Sequence, residues 1–166
     1  FLDELLRSAD PELARGKELT ARELLDDSSK KVDGAFPGRP DVEAAVRTTI
    51  GLSYSGLGLF EQAEHHLRIA HGLLSTALGE EHERTLAAAN HLARVLPYLP
   101  QRQEAAVALA RSTLAARERA FGKGDPRTLE TMVVLGFALT QLAPTGFEES
   151  ERVLLEGLRR ARSPAT

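Results

Sequence analysis

The stretch LGEEHERTL at 78–86 recurs as FGKGDPRTL at 121–129, 43 residues further along the chain. In both copies a glycine precedes a short polar loop that ends in Thr-Leu, which is the pattern expected where one helix stops and the next begins. Self-similarity at a fixed spacing of about 20–50 residues is typical of stacked repeat proteins. The recurrence therefore predicts a repeat architecture.

A second motif follows nearly the same spacing and defines the repeating unit. FEQAEHHL at 60–67 aligns with RQEAAVAL at 102–109 and with FEESERVL at 147–154. Aromatic residues make up only 5% of the chain and β-branched residues seldom run together, which favours helices over strands. We therefore predict an all-α solenoid of three helical hairpins with N-terminal helices. The predicted helix pairs are 41–57 with 60–78, 82–97 with 101–121, and 126–142 with 147–162.

These pairs divide the chain into regions. We predict N-terminal helices and a linker over 1–40, repeats over 41–81, 82–124 and 125–162 that together span 41–162, and a tail at 163–166. Asp10-Pro11 is typical of a helix start, and a capping box formed by Thr20 and Glu23 indicates a helix over 20–34 that covers the first hairpin. Asp41 is predicted as the N-cap of the next helix.

Small residues are predicted where the two helices of a hairpin approach most closely, with leucines filling the adjacent space. The small residues are Gly51, Ala63, Ala70, Ala93, Ala105, Gly136 and Gly157, and the leucines are Leu67, Leu109 and Leu154. Because one hairpin cannot bury both of its faces, we expect the three hairpins to stack and remove the remaining apolar stripe from water.

The motifs Leu78-Gly79, Thr85-Leu86 and Thr128-Leu129, with FEQAE at 60–64, resemble the tetratricopeptide repeat (TPR) family. The similarity is to its long-period form, with repeats of about 42 residues as in kinesin light chains. The resemblance implies a right-handed α-solenoid whose first helices line a concave groove that binds a protein or peptide segment. The residues it assigns to this groove are Thr48, Thr49, Asn90, His91, Arg94, Val134, Phe137 and Gln141.

Within that groove, apolar contacts are expected around Val134 and Phe137, and orientation of the ligand from the polar residues of the middle repeat. The sequence departs from the family where the consecutive asparagines of the first helix become Val133-Val134 in the last repeat. Two valines cannot clamp a peptide backbone, so the predicted groove is mixed apolar and polar, with one fixed positive charge at Arg94.

The leading segment, FLDELL at 1–6 and GKELTARELLD at 16–26, is similar to the stretch that joins a bacterial serine/threonine kinase domain to a C-terminal TPR array. This resemblance implies a regulatory arm of a larger signalling protein, and the start at Phe1 suggests a fragment. No glycine-rich nucleotide loop, His-Arg-Asp loop or Asp-Phe-Gly motif is present in the sequence. Intramolecular regulation or oligomerisation is therefore the alternative to groove binding, and a spacer between domains is a third hypothesis.

The balance of 24 acidic and 21 basic residues gives a formal net charge of −3, which offers no general attraction for nucleic acid. The longest charge-free runs, 50–60 and 137–147, are too short to span a bilayer. The expected partners are proteins or peptides, with self-association left open, and neither nucleic acid nor direct membrane insertion is expected. The location is left open between the cytoplasm and, with a membrane anchor before Phe1, the extracytoplasmic side.

The sequence offers no pattern typical of a catalytic or metal site. A helical zinc pair needs ligands four residues apart, and no two of the histidines at 65, 66, 71, 82 and 91 are so spaced. The chain also lacks cysteine, and GKGD at 122–125 lacks the upstream glycine and the Ser or Thr after lysine that a phosphate loop requires. We therefore predict a non-catalytic protein–protein interaction module with no cofactor.

Overall fold

The computed structural model of the chain describes residues 20–142 and 144–162. This part of the chain is all-α, as predicted, and contains no strand. The predicted start of a helix at Asp10-Pro11 and the predicted tail at 163–166 lie outside the described residues. The helices are α1 (Ala21–Val32), α2 (Pro40–Gly56), α3 (Phe60–Leu78), α4 (Glu83–Val95), α5 (Gln103–Phe121), α6 (Pro126–Thr140) and α7 (Phe147–Arg162), with a 3-10 turn at Leu96–Tyr98.

The beginnings of the helices follow from their capping residues. At α1 the Thr20 hydroxyl accepts the Glu23 N–H at 3.2 Å, and the Glu23 carboxylate accepts the Thr20 N–H at 2.9 Å, which is the predicted capping box. The prediction for α2 was wrong, because this helix begins at Pro40 with Arg39 as its N-cap residue, and Asp41 lies in the first turn. Proline suits the first helical position because it has no N–H to satisfy, and an acid in the first turn still favours the helix dipole.

The two repeat junctions have the same backbone conformation. Gly79 ends α3 with φ +91° and ψ 162°, and Gly122 ends α5 with φ +92° and ψ 162°. Side-chain-bearing residues rarely adopt this φ, so glycine is required at both places. After each junction the N-cap side chain, His82 or Asp125, accepts the backbone N–H two residues further on. The loops therefore repeat in structure even where their capping residues differ.

Helices pair within hairpins by the predicted packing of small against large residues. A Cβ atom built on Gly51 would lie 2.8 Å from Leu67 Cγ, and one built on Gly136 would lie 2.6 Å from Leu154 Cδ2. The middle hairpin has Ala93 and Ala110 at the corresponding positions, and both are fully buried. Glycine against leucine in the outer hairpins thus becomes alanine against alanine in the middle one.

Three of the predicted packing positions were wrong. Ala105 is exposed and Leu109 is only partly buried, whereas the neighbouring Ala106 is fully buried. The true spacing from Ala63 is therefore 43 residues, the same as at the glycine junctions. Gly157 also allows more room than expected, because a Cβ atom there would lie 3.7 Å from Met132, an ordinary van der Waals distance.

Helix α1 packs on the first hairpin and extends the core at its N-terminal side. Its Val32 is fully buried, and its Asp26 accepts a hydrogen bond from the Tyr54 hydroxyl at 2.8 Å. Burial and this bond raise the pKa of Tyr54 to about 12. Ser29 adds a second contact, with its hydroxyl 2.8 Å from Nε2 of the buried His66. A single apolar cluster then continues from Val32 through the three hairpins to α6.

Candidate binding surface on the first helices

The first helices of the three hairpins lie side by side. Helix α4 makes backbone contact with both α2 and α6, whereas α3, α5 and α7 are further apart from one another. Closer packing on one side of a stack bends the stack toward that side. The first helices therefore form the inner side of the array, and their exposed residues are the candidate binding surface.

On the outer side, ion pairs connect neighbouring second helices or the residues directly next to them. These pairs are Arg102–Glu64 at 3.6 Å, Arg119–Glu81 at 2.7 Å, Arg111–Glu149 at 2.6 Å and Arg160–Glu118 at 2.5 Å. An exposed pair such as Arg119–Glu81 contributes little to stability, and all four pairs occupy charges that a ligand could otherwise meet. The outer side is therefore a weaker candidate for ligand binding than the inner side.

On α2, the two predicted groove residues use their hydroxyl hydrogens within their own helix. Thr48 donates to the Ala44 carbonyl at 2.8 Å, and Thr49 donates to the Ala45 carbonyl at 3.1 Å. Such bonds to the preceding turn are common for threonine in helices. Both side chains can still accept a hydrogen bond, but neither has a donor to offer.

On α4, the structure buries two of the predicted groove residues and exposes the third. Asn90 is only 1% exposed, and neither of its amide atoms has a hydrogen-bond partner within the described part of the chain. His91 is partly buried, and burial, with the nearby charge of Arg94, lowers its pKa, so that it is neutral at pH 7. Arg94 is exposed and has no ion-pair partner among residues 20–142 and 144–162. Arg94 is therefore the fixed charge that a ligand can reach.

On α6, the apolar residue at the surface is not the one predicted. Val134 is buried in the core cluster, whereas its neighbour Val133 is 60% exposed. A shift of one residue turns a helical side chain by about 100°, which accounts for the exchange. Phe137 is half-buried, and Gln141 is exposed with its side-chain N–H donating to Thr140 Oγ1 at 3.1 Å.

A tyrosine that the sequence analysis missed lies at the centre of this surface. Tyr98 is 52% exposed, and its ring stacks on Phe60 with centroids 4.2 Å apart and planes 6° from parallel. Its ring is also 5.4 Å from that of Phe137 on α6. Tyr98 precedes Gln141 by the repeat spacing of 43 residues, so the choice of Gln141 could have revealed it.

These contacts bring together residues from all three hairpins. Arg94 lies in the last turn of α4, just before the 3-10 turn that carries Tyr98, and Val133 precedes Phe137 by four residues on α6. Phe60 stacks on the tyrosine ring. We call Phe60, Arg94, Tyr98, Val133 and Phe137 the aromatic surface. It offers an apolar patch and one guanidinium group, that of Arg94, which has no ion-pair partner within the described residues.

Comparison with known proteins shows relatives of the fold but not of the sequence. No protein-family profile and no curated protein matches the chain. Two crystal structures of the nearly identical TPR-like repeats of a protein described as a Podosopora anserina kinesin light chain superpose with a TM-score of 0.68, at 17% and 18% identity. The matches cover 93% and 95% of this chain and 74% and 77% of theirs. The chain has the TPR-like repeat fold.

A third crystal structure, of BtubC (BKLC) from P. vanneervenii, agrees with this conclusion. It superposes with a TM-score of 0.69 at 14% identity, covering 96% of this chain and 62% of that protein. The predicted TPR-like fold with repeats of the kinesin-light-chain kind is thus confirmed. Identity this low carries the fold alone, so the eight predicted groove residues remain predictions as a binding site.

The similarity to a kinase-linked segment rests mostly on residues 1–19, which lie outside the described residues, and it stays a prediction. None of the described helices is both long enough and apolar enough to cross a membrane.

Proposed function

We propose that this TPR-like chain is a non-catalytic scaffold that holds a segment of a protein partner on the aromatic surface. The observation that carries the proposal is the exposure of Tyr98, whose ring is fixed by stacking on Phe60 and by contact with Phe137. A rigid, half-exposed aromatic ring provides contact area at low entropic cost, which is why tyrosine is frequent at binding hot spots.

The chemistry of the surface indicates what kind of segment fits. Tyr98, Phe137 and Val133 would receive an aliphatic or aromatic side chain, which buries their exposed apolar area. Arg94 would pair with an acidic side chain or a chain-terminal carboxylate of the ligand, because its guanidinium presents a planar fork of donors. A single fixed cation is too little for a nucleic acid, whose binding depends on many phosphate contacts. The expected ligand is therefore an apolar and acidic peptide segment.

Of the residues first assigned to the groove, Asn90 and Val134 contribute to this proposal only indirectly. Both are buried beneath the aromatic surface, so they support its residues from the core without contacting the ligand. Thr48 and Thr49 lie on α2, where they can accept hydrogen bonds from the backbone of a long segment. The strongest contacts are therefore expected on α4 and α6.

Peptide selection tests the proposal directly. A displayed random peptide library is selected on the native chain, and the affinity of the selected peptides is measured by fluorescence anisotropy against Tyr98→Ala, Arg94→Glu and Arg119→Ala variants. We expect peptides with an apolar anchor and an acidic residue, and at least a tenfold loss of affinity for Tyr98→Ala and for Arg94→Glu. Arg119 lies on the outer side and is the matched control, for which no loss is expected.

The opposite result is equally clear. Peptides that bind the Tyr98→Ala and Arg94→Glu variants as tightly as the native chain would show that the aromatic surface is not the binding site. Circular dichroism of each variant would first establish that it is folded.

A further inference from the structure

The last hairpin has a second exposed apolar surface. It lies on α7, separate from the aromatic surface. On α7, Leu154, Leu155 and Leu158 are 36%, 58% and 56% exposed. Residues three and four positions apart on a helix are neighbours on its surface, so Leu158 lies beside both Leu155 and Leu154, and the three leucines form a continuous stripe. A stripe of this kind costs free energy in water and is typical of an interaction surface.

The repeat itself shows which part of the stripe a further TPR-like helix would cover. Leu154 corresponds to Leu67 and Ala110, which are fully buried because α4 and α6 pack over them. Leu155 corresponds to Arg68 and Arg111, which remain exposed although the following helix is in place. Leu155 is therefore apolar at a position that stacking of repeats leaves in water, and the stripe extends beyond what another repeat would bury.

Four of the eight charged residues of α7 are arranged symmetrically about Leu155. Glu148 and Glu151 precede it by seven and four residues, and Arg159 and Arg162 follow it by four and seven. Spacings of four and seven residues keep all four charges on the side of the helix that carries Leu155. Glu148, Glu151 and Arg162 have no ion pair with any residue of 20–142 or 144–162, and Arg159 pairs with Glu156.

We propose that two copies of the chain associate through α7, with the helices antiparallel and a two-fold axis at Leu155. This arrangement places Glu148 opposite the partner's Arg162 and Glu151 opposite the partner's Arg159, and each contact occurs twice. A two-fold interface must be self-complementary, and the mirror order of acids and bases along α7 satisfies that condition. A parallel pairing would bring like charges together and is disfavoured.

The association is weak because the interface is small. Three leucines and four charges from each copy make a contact at the lower end of the sizes seen for protein complexes. We expect a dissociation constant of about 10–100 μM, so that the chain is monomeric when dilute and dimeric when concentrated.

Sedimentation equilibrium over a concentration series tests this proposal. Leu155→Asp is expected to leave only monomer, while Leu57→Asp, which changes an exposed leucine at the end of α2, leaves the dimer unchanged. Glu148→Arg and Arg162→Glu alone are each expected to weaken association at least fivefold, and the double variant to restore it. A chain that stays monomeric to about 1 mM, a dimer indifferent to Leu155→Asp, or a double variant as weak as the single ones would overturn the proposal.

Cysteine cross-linking tests the antiparallel orientation, since the native chain has no cysteine. Leu155→Cys is expected to form a disulfide with its own copy, whereas Glu148→Cys is not, because the two copies of position 148 would be about 20 Å apart along the helix axis. A mixture of Glu148→Cys and Arg162→Cys chains is expected to form the mixed disulfide. Efficient self-cross-linking of Glu148→Cys would indicate a parallel pair and contradict the proposal.

These experiments change residues of α7 and, as a control, Leu57, and none of the substitutions alters the aromatic surface. Failure of the dimer therefore does not affect the proposed function, and failure of peptide binding does not affect the dimer.

Discussion

The two sides of the repeat stack differ in whether their apolar face is covered. At the N-terminal side, α1 packs on the first hairpin with Val32 buried and Tyr54 bonded to Asp26. At the C-terminal side, α7 packs on α6, but no other described helix packs on α7, and its leucines are exposed. The difference shows that in a repeat fold the burial of a residue is decided by the neighbouring unit as much as by its own helix.

One set of equivalent positions makes this point directly. Val32, Leu74, Arg117 and Ala161 occupy the same place in α1, α3, α5 and α7, one repeat apart. The first three are buried against the helix that follows, whereas Ala161 is exposed. An arginine can occupy this buried position because its guanidinium is hydrogen-bonded. Arg117 donates to the Arg127 carbonyl, to Thr131 Oγ1 at 3.0 Å and to Glu130 at 3.1 Å.

The largest effect is expected from placing a charge at the two outer members of this series. Val32→Asp buries a carboxylate without a partner and should lower the free energy of unfolding by about 3 kcal/mol. Ala161→Asp places the same group in water and should change it by less than about 0.5 kcal/mol. Urea unfolding followed by circular dichroism measures both, and equal losses would show that the two sides are not different.

A pH effect is expected at the covered side, where His66 is buried. Burial lowers the pKa of His66 to about 4, below its value in the unfolded chain, so the unfolded chain binds the proton more readily. Neutral His66 therefore makes its full contribution to the free energy of unfolding above about pH 6.5. As the pH falls toward 4, the free energy of unfolding decreases by about 2–3 kcal/mol. His66→Gln should flatten the decrease.

The effect of His66 is the difference between the native chain and His66→Gln in this loss of unfolding free energy, because burial also lowers the pKa of His91. An unfolding free energy that declines equally in the native chain and in His66→Gln between pH 7 and pH 4 would exclude His66 as the cause.

A smaller effect should separate the two glycines that face leucines. In Gly51→Ala the new Cβ would meet Leu67, which is fully buried, and would also lie 3.2 Å from the Ala63 carbonyl oxygen, so the helices must shift. We expect a net loss of about 1–2 kcal/mol after the gain in helix propensity. In Gly136→Ala the three atoms nearest to the new Cβ all belong to Leu154, which is partly exposed and can turn toward water, and the net change should lie within about 0.5 kcal/mol. Thermal unfolding in parallel measures the difference, and equal changes would refute this reason for it.

The sequence predicts the fold well because its strongest signals are local. The glycine junctions at 79 and 122 require an unusual backbone conformation, and they mark the repeat regardless of what surrounds them. Errors arose where two similar residues stand next to each other. The sequence motif fits Ala105 as well as Ala106, and Val133 as well as Val134. In a helix, however, a shift of one residue moves the side chain from water to the core.

The candidate site was less predictable because it depends on contacts between repeats. Tyr98 lies in a 3-10 turn after α4, where the helical period that guided the prediction no longer holds. Its importance comes from Phe60 and Phe137, which are distant in sequence and adjacent only after the hairpins stack. Asn90 illustrates the converse, since its polar side chain suggests a surface residue but the packing of α4 buries it.

Amide hydrogen exchange, measured by mass spectrometry at two protein concentrations, tests most directly the claim that one side of the stack is closed and the other is open to a second copy. At about 5 μM and about 500 μM, values on either side of the expected dissociation constant, exchange in α1 should be the same. Exchange in α7 should be several-fold slower in the concentrated sample. Identical exchange of α7 at the two concentrations would contradict the account.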